Sequence, residues 1–416
     1  MSSGEEHTGD MRLVGVRAVA FYLPQFHPIA ENDEWWGPGF TEWRNVAKAR
    51  PKFPGHYQPH LPGELGFYDL RLAEVREAQA ELARTHGIYG FCYYHYWFNG
   101  RRVLERPFNE VLASGKPDFP FCLCWANENW TRAWDGGEQH VLLQQHYSAE
   151  DDLAHIRALI PAFADRRYIR VDGRPLLLVY RSELLPEPAR TAEIWRAEAR
   201  RAGIGDLYLA RVENFVSGID PASIGFDAAV EFAPLGSQVG KIMFRSPVHR
   251  LLARTGLLSS AYVENRVTLY RALVQGMLAK PNPGFRRFRC VTPMWDNTAR
   301  RRTRANIYVG STPALYEAWL ADVARQTIEG FAPSERIVFV NAWNEWAEGC
   351  HLEPDLKWGR QYLEATRAAL RDASEPKRVA SSTTQPQPAA KRMYWRARAF
   401  LSEQRDLLNN LLGRHG

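Results

Sequence analysis

Glu345 and Glu348 stand three apart in the segment Trp343-Asn344-Glu345-Trp346-Ala347-Glu348-Gly349. If the chain turns helically there, side chains at i and i+3 project the same way. Two carboxylates held together can divide acid and base roles, because proximity raises one pKa above the other. Cleavage of a glycosidic bond needs that division: one group protonates the leaving oxygen while the other supplies or unmasks a nucleophile. Trp343 and Trp346 offer flat apolar faces for sugar rings. The competing reading is structural, with one Glu paired to an arginine such as Arg301 or Arg302.

Other chemistry-bearing residues cluster just after short apolar runs. Tyr22 ends the first run, and His27, Glu42 and Trp43 follow it. Tyr94 and His95 belong to the second, and Trp125, Asn127, Glu128 and Trp130 to the third. Glu213, Glu231, Trp295 with Asp296, and Asn344 close later ones. Aromatic rings that stack, with amides and carboxylates that bind hydroxyls, are the make-up of a carbohydrate cleft. A metal site is the weaker reading. His27, His56, His60, His95, Glu42 and Asp296 could assemble, but no H-x-H or H-E-x-x-H spacing is present, so no metal is expected. Walker A, G-x-G-x-x-G and G-x-S-x-G patterns are also missing, and no cofactor is expected. Cys122-Leu-Cys124 reads as two buried thiols in a strand, since no second Cys/His pair accompanies it.

The elements that must position these residues form a regular series. Strand candidates are 16–23, 89–96, 119–126, 175–180, 207–213, 226–232, 290–295 and 337–343. They are continuously apolar rather than alternating, as expected of strands buried on both faces of a parallel sheet. Amphipathic segments separate them at 70–87, 101–113, 150–166, 189–203, 313–329 and 359–371, with an extra helix near 262–279. Eight strands alternating with helices predict an α/β fold: a single (β/α)8 TIM barrel with long βα loops. In such barrels the site is built from loops at the C-terminal strand ends, and here those loops carry the Trp, Glu, Asn and Arg residues.

The chain has 416 residues, 53 Lys+Arg and 47 Asp+Glu, a net charge of +6. With 45% hydrophobic and 24% charged residues it is neither collagenous nor mostly disordered. Residues 391–416 hold six cations (Lys391, Arg392, Arg396, Arg398, Arg405, Arg414) against Glu403 and Asp406, a net of +4. The basic balance is therefore mostly a tail, and a nucleic-acid partner is not expected. Residues 1–10 read as a disordered N-terminus, 11–372 as the catalytic barrel, and 373–390 as a flexible Ser/Thr/Pro/Gln-rich linker. Met393, Ala397, Phe400, Gln404, Leu408 and Leu411 then recur at helical spacing in a basic C-terminal amphipathic helix. Such a helix suits an anionic membrane surface; packing on the barrel or on a second subunit is the other reading. The N-terminal segment has no basic region followed by an apolar stretch, and no run reaches the ~18 apolar residues of a membrane span. A cytoplasmic protein is expected, peripheral to the inner membrane face if the tail binds lipid.

The segments FYLPQFH, ENDEWWGPGFTEWRNVAKARPKFPGHYQPHLPGELGFYDLR and WNEWAEG closely resemble the WbsX-like family of bacterial surface-polysaccharide biosynthesis proteins. That family is related to glycoside hydrolase family 99, the endo-α-1,2-mannosidases and mannanases. The resemblance covers roughly residues 16–365 and implies a (β/α)8 barrel and carbohydrate chemistry. In the hydrolase relatives the corresponding motif is N-E-W-H-E-G. Its first Glu is the base towards a sugar 2-hydroxyl that closes onto C1, and its second is the general acid/base. By that resemblance Glu345 is the base and Glu348 the acid, while Ala347 stands where the relatives have His. The name of the WbsX-like group is glycosyltransferase, so three readings stand. They are a retaining glycoside-processing enzyme, a glycosyltransferase of O-antigen, capsule or lipopolysaccharide assembly, and a non-catalytic glycan-binding barrel.

Overall fold

Runs of Val, Ile, Phe, Tyr and Leu flanked by turn residues become eight parallel strands in the computed structural model, which describes residues 15–132, 137–234 and 240–374. The strands are β1 Arg17–Tyr22, β2 Ile88–Phe98, β3 Phe121–Trp125 and β4 Arg174–Val179. β5 Tyr208–Glu213, β6 Ala228–Glu231, β7 Arg287–Val291 and β8 Ile337–Val340 complete the set. Each pairs in parallel with its neighbours in sequence, and β8 returns to β1 with Val19 opposite Phe339, closing the barrel. Closure leaves no sheet edge. Ala18, Val19, Leu177, Leu209 and Val338 are fully buried, as strands covered on both faces require.

Among the described residues, seven helices pack around the barrel between or after its strands: α1 Ala73–Thr85, α2 Arg106–Ser114, α3 Ala149–Ala164, α4 Pro188–Arg201, α5 Tyr270–Ala279, α6 Pro313–Gly330 and α7 Gln361–Ser374. Between β5 and β6 a single 3-10 turn, Pro221–Ile224, replaces a helix. Local signals set the helix starts. The Ser148 hydroxyl accepts the Asp151 N–H, with three acids in the first turn of α3, and Thr312 caps α6 ahead of Pro313.

Several boundaries differ from the sequence reading, two of them for reasons that lie in the tertiary structure. The expected helix at 262–279 is split. Ala261–Glu264 is one short turn, Arg266–Leu269 is a strand parallel to Asn306–Val309, and α5 begins only at Tyr270. Val267 and Thr268 are β-branched, and the distant Asn306–Val309 segment offers them a ladder, so tertiary pairing overrides the helical period. β7 also starts at Arg287, not 290. Its arginines look like loop residues, yet they lie buried against carboxylates: Arg289 donates to Glu231 at 2.8 Å, and Arg287 lies 3.4 Å from it. The N-terminal segment, nearly all of the linker and the C-terminal amphipathic helix lie outside the described residues; α7 itself runs to Ser374.

Candidate active site

After β8 the chain forms a two-residue strand, Asn344–Glu345, antiparallel to Cys350–His351, and reverses through a 3-10 turn at Trp346–Glu348. Residues three apart eclipse in a 3-10 turn, so Glu345 and Glu348 project together. They meet one cation. Arg300, in the loop after β7, lies 2.5 Å from Glu345 and 3.1 Å from Glu348 through different guanidinium nitrogens. It also donates two hydrogen bonds to Glu42, at 3.0 and 2.7 Å. Three carboxylates thus share one arginine. Burial pushes the Glu345 and Glu348 carboxyls above the usual range; Arg300 opposes this, and the neighbouring carboxylates reinforce it. Burial disfavours the Arg300 charge, but the three facing carboxylates outweigh it and hold the guanidinium protonated.

Gly349 makes the turn possible. Its φ of +62° is left-handed, and an added Cβ would sit 3.0 Å from the Asp296 nitrogen and 3.1 Å from its carbonyl oxygen. The Asp296 N–H donates to the Glu348 carbonyl at 2.7 Å, pinning the turn to the β7 loop. Gly349→Ala is therefore expected to lose about 1–3 kcal/mol of stability. Urea unfolding measures it, and a loss below about 0.5 kcal/mol would show that the turn relaxes freely.

The pair forms one side of an open cleft at the C-terminal mouth, about 1040 Å³ when the solvent at its opening is included, lined also by Arg300, Tyr94, Tyr96, Tyr180 and Phe232. Trp35 and Trp36, on the short helix Ala30–Trp36, and Trp130 form an aromatic wall. Trp35 and Trp130 meet edge to face at 5.8 Å. Gln25, Asn32, Glu128 and Asn129 supply polar edges, and Glu128 is paired with Arg181.

Of the residues singled out from sequence, Tyr94, Glu128, Trp130, Glu345 and Glu348 line this cleft, and Glu42 joins through Arg300. The others lie behind it or apart. Trp343 and Trp346, at 0% and 1% exposure, turn into the core and offer no face to a sugar. Trp346 stacks on His351 at 3.7 Å and donates to Glu353 at 2.7 Å. Glu353 also accepts from Tyr68 and Gln79, and burial pushes its carboxyl up to about 7 against these hydrogen bonds. Tyr22 donates to Gln79, and Trp43 to the Tyr68 carbonyl, so both belong to this supporting layer. Asn344 exchanges two hydrogen bonds with the Leu23 backbone, stitching β8 to β1.

Glu213 and Glu231 sit in a buried ion cluster with Lys280, Arg287 and Arg289, whose Nη2 donates to Met277 of α5. His95 pairs with His155 at 3.0 Å beside Trp125. Asn127 donates to the Arg181 carbonyl. His27 is buried, and burial lowers its pKa to about 4. Asp296 and Trp295 face a separate small cavity, where His56 and Gln58 hold the Asp296 carboxylate at 2.6 and 2.9 Å. Among the described residues one group has metal-ligand geometry, His60, His351 and Asp355, with ligand atoms within 4.8 Å of one another. Each is engaged within the protein: His60 pairs with His351 at 3.0 Å, and Asp355 accepts from Tyr57 at 2.9 Å.

Sequence reasoning missed Arg300, Trp35, Trp36, Tyr96 and Tyr180. A signal existed for some of them. Arg300 stands next to the two arginines weighed as Glu partners, and Tyr180 directly follows β4.

A closed (β/α)8 barrel whose mouth gathers three carboxylates on one arginine beside an aromatic wall has the architecture of a barrel-enzyme site. The chain belongs to the glycosyltransferase WbsX family, whose model matches residues 18–366. That family places it among carbohydrate-active proteins. The chain is 47% identical over 357 residues to the uncharacterized protein WxcX of Xanthomonas campestris pv. campestris. The match covers 86% of this chain and 50% of WxcX, so the chain spans about half the length of the curated relatives it matches. Among solved structures, a glycoside hydrolase-like protein superposes with a TM-score of 0.51 at 14% identity, covering 86% of this chain and 94% of that one. This likeness supports the barrel fold. The GH99 endo-alpha-mannosidase from Bacteroides thetaiotaomicron gives a TM-score of 0.49 at 14% identity, over 86% and 97% of the two chains.

Proposed function

We propose that this chain is a retaining glycoside-processing enzyme acting on a bacterial cell-surface polysaccharide or lipid-linked oligosaccharide at the cytoplasmic membrane face. The observation that carries the reading is the Glu345–Arg300–Glu348 arrangement inside an aromatic cleft. Glu345, the less exposed of the pair (6% against 23%), is the base. It takes the proton of the sugar 2-hydroxyl as that oxygen closes onto C1, while Glu348 gives its proton to the departing glycosidic oxygen. Glu348 then takes a proton from water as the water adds at C1. Opening of the three-membered ring returns the first proton from Glu345 to O2, and two inversions leave the configuration retained. Raised carboxyl pKa values serve both steps, because acid and base work best with a pKa near the operating pH. Arg300 holds both carboxylates in register.

Charge favours this reading over transfer from a nucleotide sugar. Arg300 is the one cation of the described cleft lining, and Glu42, Glu345 and Glu348 already engage it, while Glu128 is paired with Arg181. A diphosphate entering this site would have to compete with those carboxylates for the cation, whereas a neutral glycan need not. The family's transferase description keeps nucleotide-sugar transfer as the second reading. Purified protein incubated with the producing organism's surface or lipid-linked glycan, and read by mass spectrometry, separates them. Shorter glycans without any nucleotide, absent with Glu348→Gln, are the expected result. Glycans lengthened only when nucleotide sugars are added would replace hydrolysis with transfer. Binding without turnover, unchanged in both Glu→Gln variants, would make the barrel a glycan-binding module.

A further inference from the structure

The loop between β6 and α5 carries a helix, Pro247–Arg254, none of whose residues is buried. Its apolar residues Val248 and Leu251 are 63% and 61% exposed, and Leu257, just beyond its end, is 78% exposed. At 100° per residue, Arg250, Arg254, Leu251 and Val248 follow one another around one exposed half of the helix. Leu252 and Ala253 fall on the opposite half and are only half-exposed. Phe244 and Leu258, on either side of the helix, pack against the cluster of Phe53, Tyr262 and Ile307, which fixes the helix to the barrel.

The charge of this segment is one-sided. Residues 232–263 contain no Asp or Glu, while Lys241, Arg245, Arg250 and Arg254 are all exposed. None of these four has a carboxylate partner among the described residues. A short helix with protruding aliphatic side chains flanked by arginines is the make-up of an element that lies in a lipid interface. Its place in the fold adds direction. The loop leaves the C-terminal end of β6, the end that also bears Phe232 of the cleft, and Ser259 donates to Lys52, whose ammonium donates to the Arg302 carbonyl two residues past Arg300.

We propose that the exposed face of Pro247–Arg254, with Leu257, docks this protein on an anionic phospholipid surface and turns the mouth of the barrel towards the membrane. The inference is independent of the reaction catalysed and of the C-terminal tail. Aliphatic side chains insert at headgroup depth while the four cations meet anionic lipid, so binding requires both parts and weakens with salt.

The test is sedimentation of the full chain with phosphatidylcholine vesicles, with and without phosphatidylglycerol. The expected result is binding to the anionic vesicles only, lowered by at least about tenfold in Val248→Glu/Leu251→Glu and in Arg250→Glu/Arg254→Glu. These positions are exposed, so melting temperatures should be unchanged. All five native cysteines are buried, so Leu257→Cys labelled with an environment-sensitive dye reads this segment alone. A blue shift on anionic vesicles is expected. Variants that bind like wild type, a dye that does not shift, or a wild-type chain that ignores both vesicles would each overturn the proposal; the last would leave the face to a protein partner.

Discussion

Glu345→Gln and Glu348→Gln are each expected to lower glycan turnover by about 10²–10⁴-fold while making the protein more stable at neutral pH. In the proposed mechanism the loss follows from removing a proton acceptor or donor that meets the reacting oxygens. The gain follows from burial. Both carboxyls are raised in the folded chain, whereas in the unfolded chain Glu titrates near ~4.3. Folding is therefore unpenalised by these groups below about pH 4, and it loses free energy as pH rises through the folded pKa values. Gln cannot ionise and escapes that loss, yet its side-chain oxygen still accepts from Arg300. For Glu345→Gln the stabilisation should be on the order of 1–3 kcal/mol at pH 8 and near zero at pH 4, and Glu348→Gln should change in the same direction. Calorimetry at the two pH values, beside single-turnover assays, measures both halves. A variant that lost activity and stability together at pH 8 would make the pair a structural ion pair.

The second large effect belongs to Arg300. Arg300→Met removes the cation but keeps much of the stem volume, leaving Glu42, Glu345 and Glu348 facing one another at low exposure. Breaking a buried pair by deleting one partner costs about 3–5 kcal/mol, because the remaining charges are uncompensated. The variant should therefore unfold at markedly lower urea concentration at pH 8. With the cation gone the Glu345 and Glu348 pKa values rise further, so the deficit accumulates as pH climbs above the unfolded value of ~4.3 and shrinks towards pH 4. Arg300→Lys restores one charge but not the planar fork that serves three carboxylates, and should recover only part of the stability and little activity. A deficit independent of pH would mean that lost packing, and not lost charge, explains the result.

Seven of the eight strands were legible because each is a local run of apolar residues long enough to cross the barrel and punctuated by turn chemistry, while β7 was read three residues late because Arg287 and Arg289 interrupt its apolar run. Glu345 and Glu348 were legible for a related reason: their adjacency depends only on a three-residue spacing and one tight turn. The Arg300 clamp was not. It joins Glu42 to a residue 258 positions away, and nothing in either local segment selects Arg300 over Arg301 or Arg302. The tryptophans show the same limit. Trp343 and Trp346 flank the Glu pair yet are buried beneath it, while Trp35 and Trp36 come from the first loop to line the cleft. An aromatic residue reads identically in sequence whether it packs under a site or stacks within it.

The sequence by itself determined the order and number of the strands, the end of the barrel that bears the cleft, and the juxtaposition of Glu345 and Glu348, because these follow from hydrophobic periodicity and short-range turn geometry. Only the tertiary structure decided which arginine meets the pair, which aromatics line the cleft, that the 262–279 segment breaks into strand and helix, and that Glu213 and Glu231 bind arginines away from the cleft. Those outcomes depend on contacts between distant segments, where burial and partner charge are set by closure of the barrel and not by any neighbouring residue.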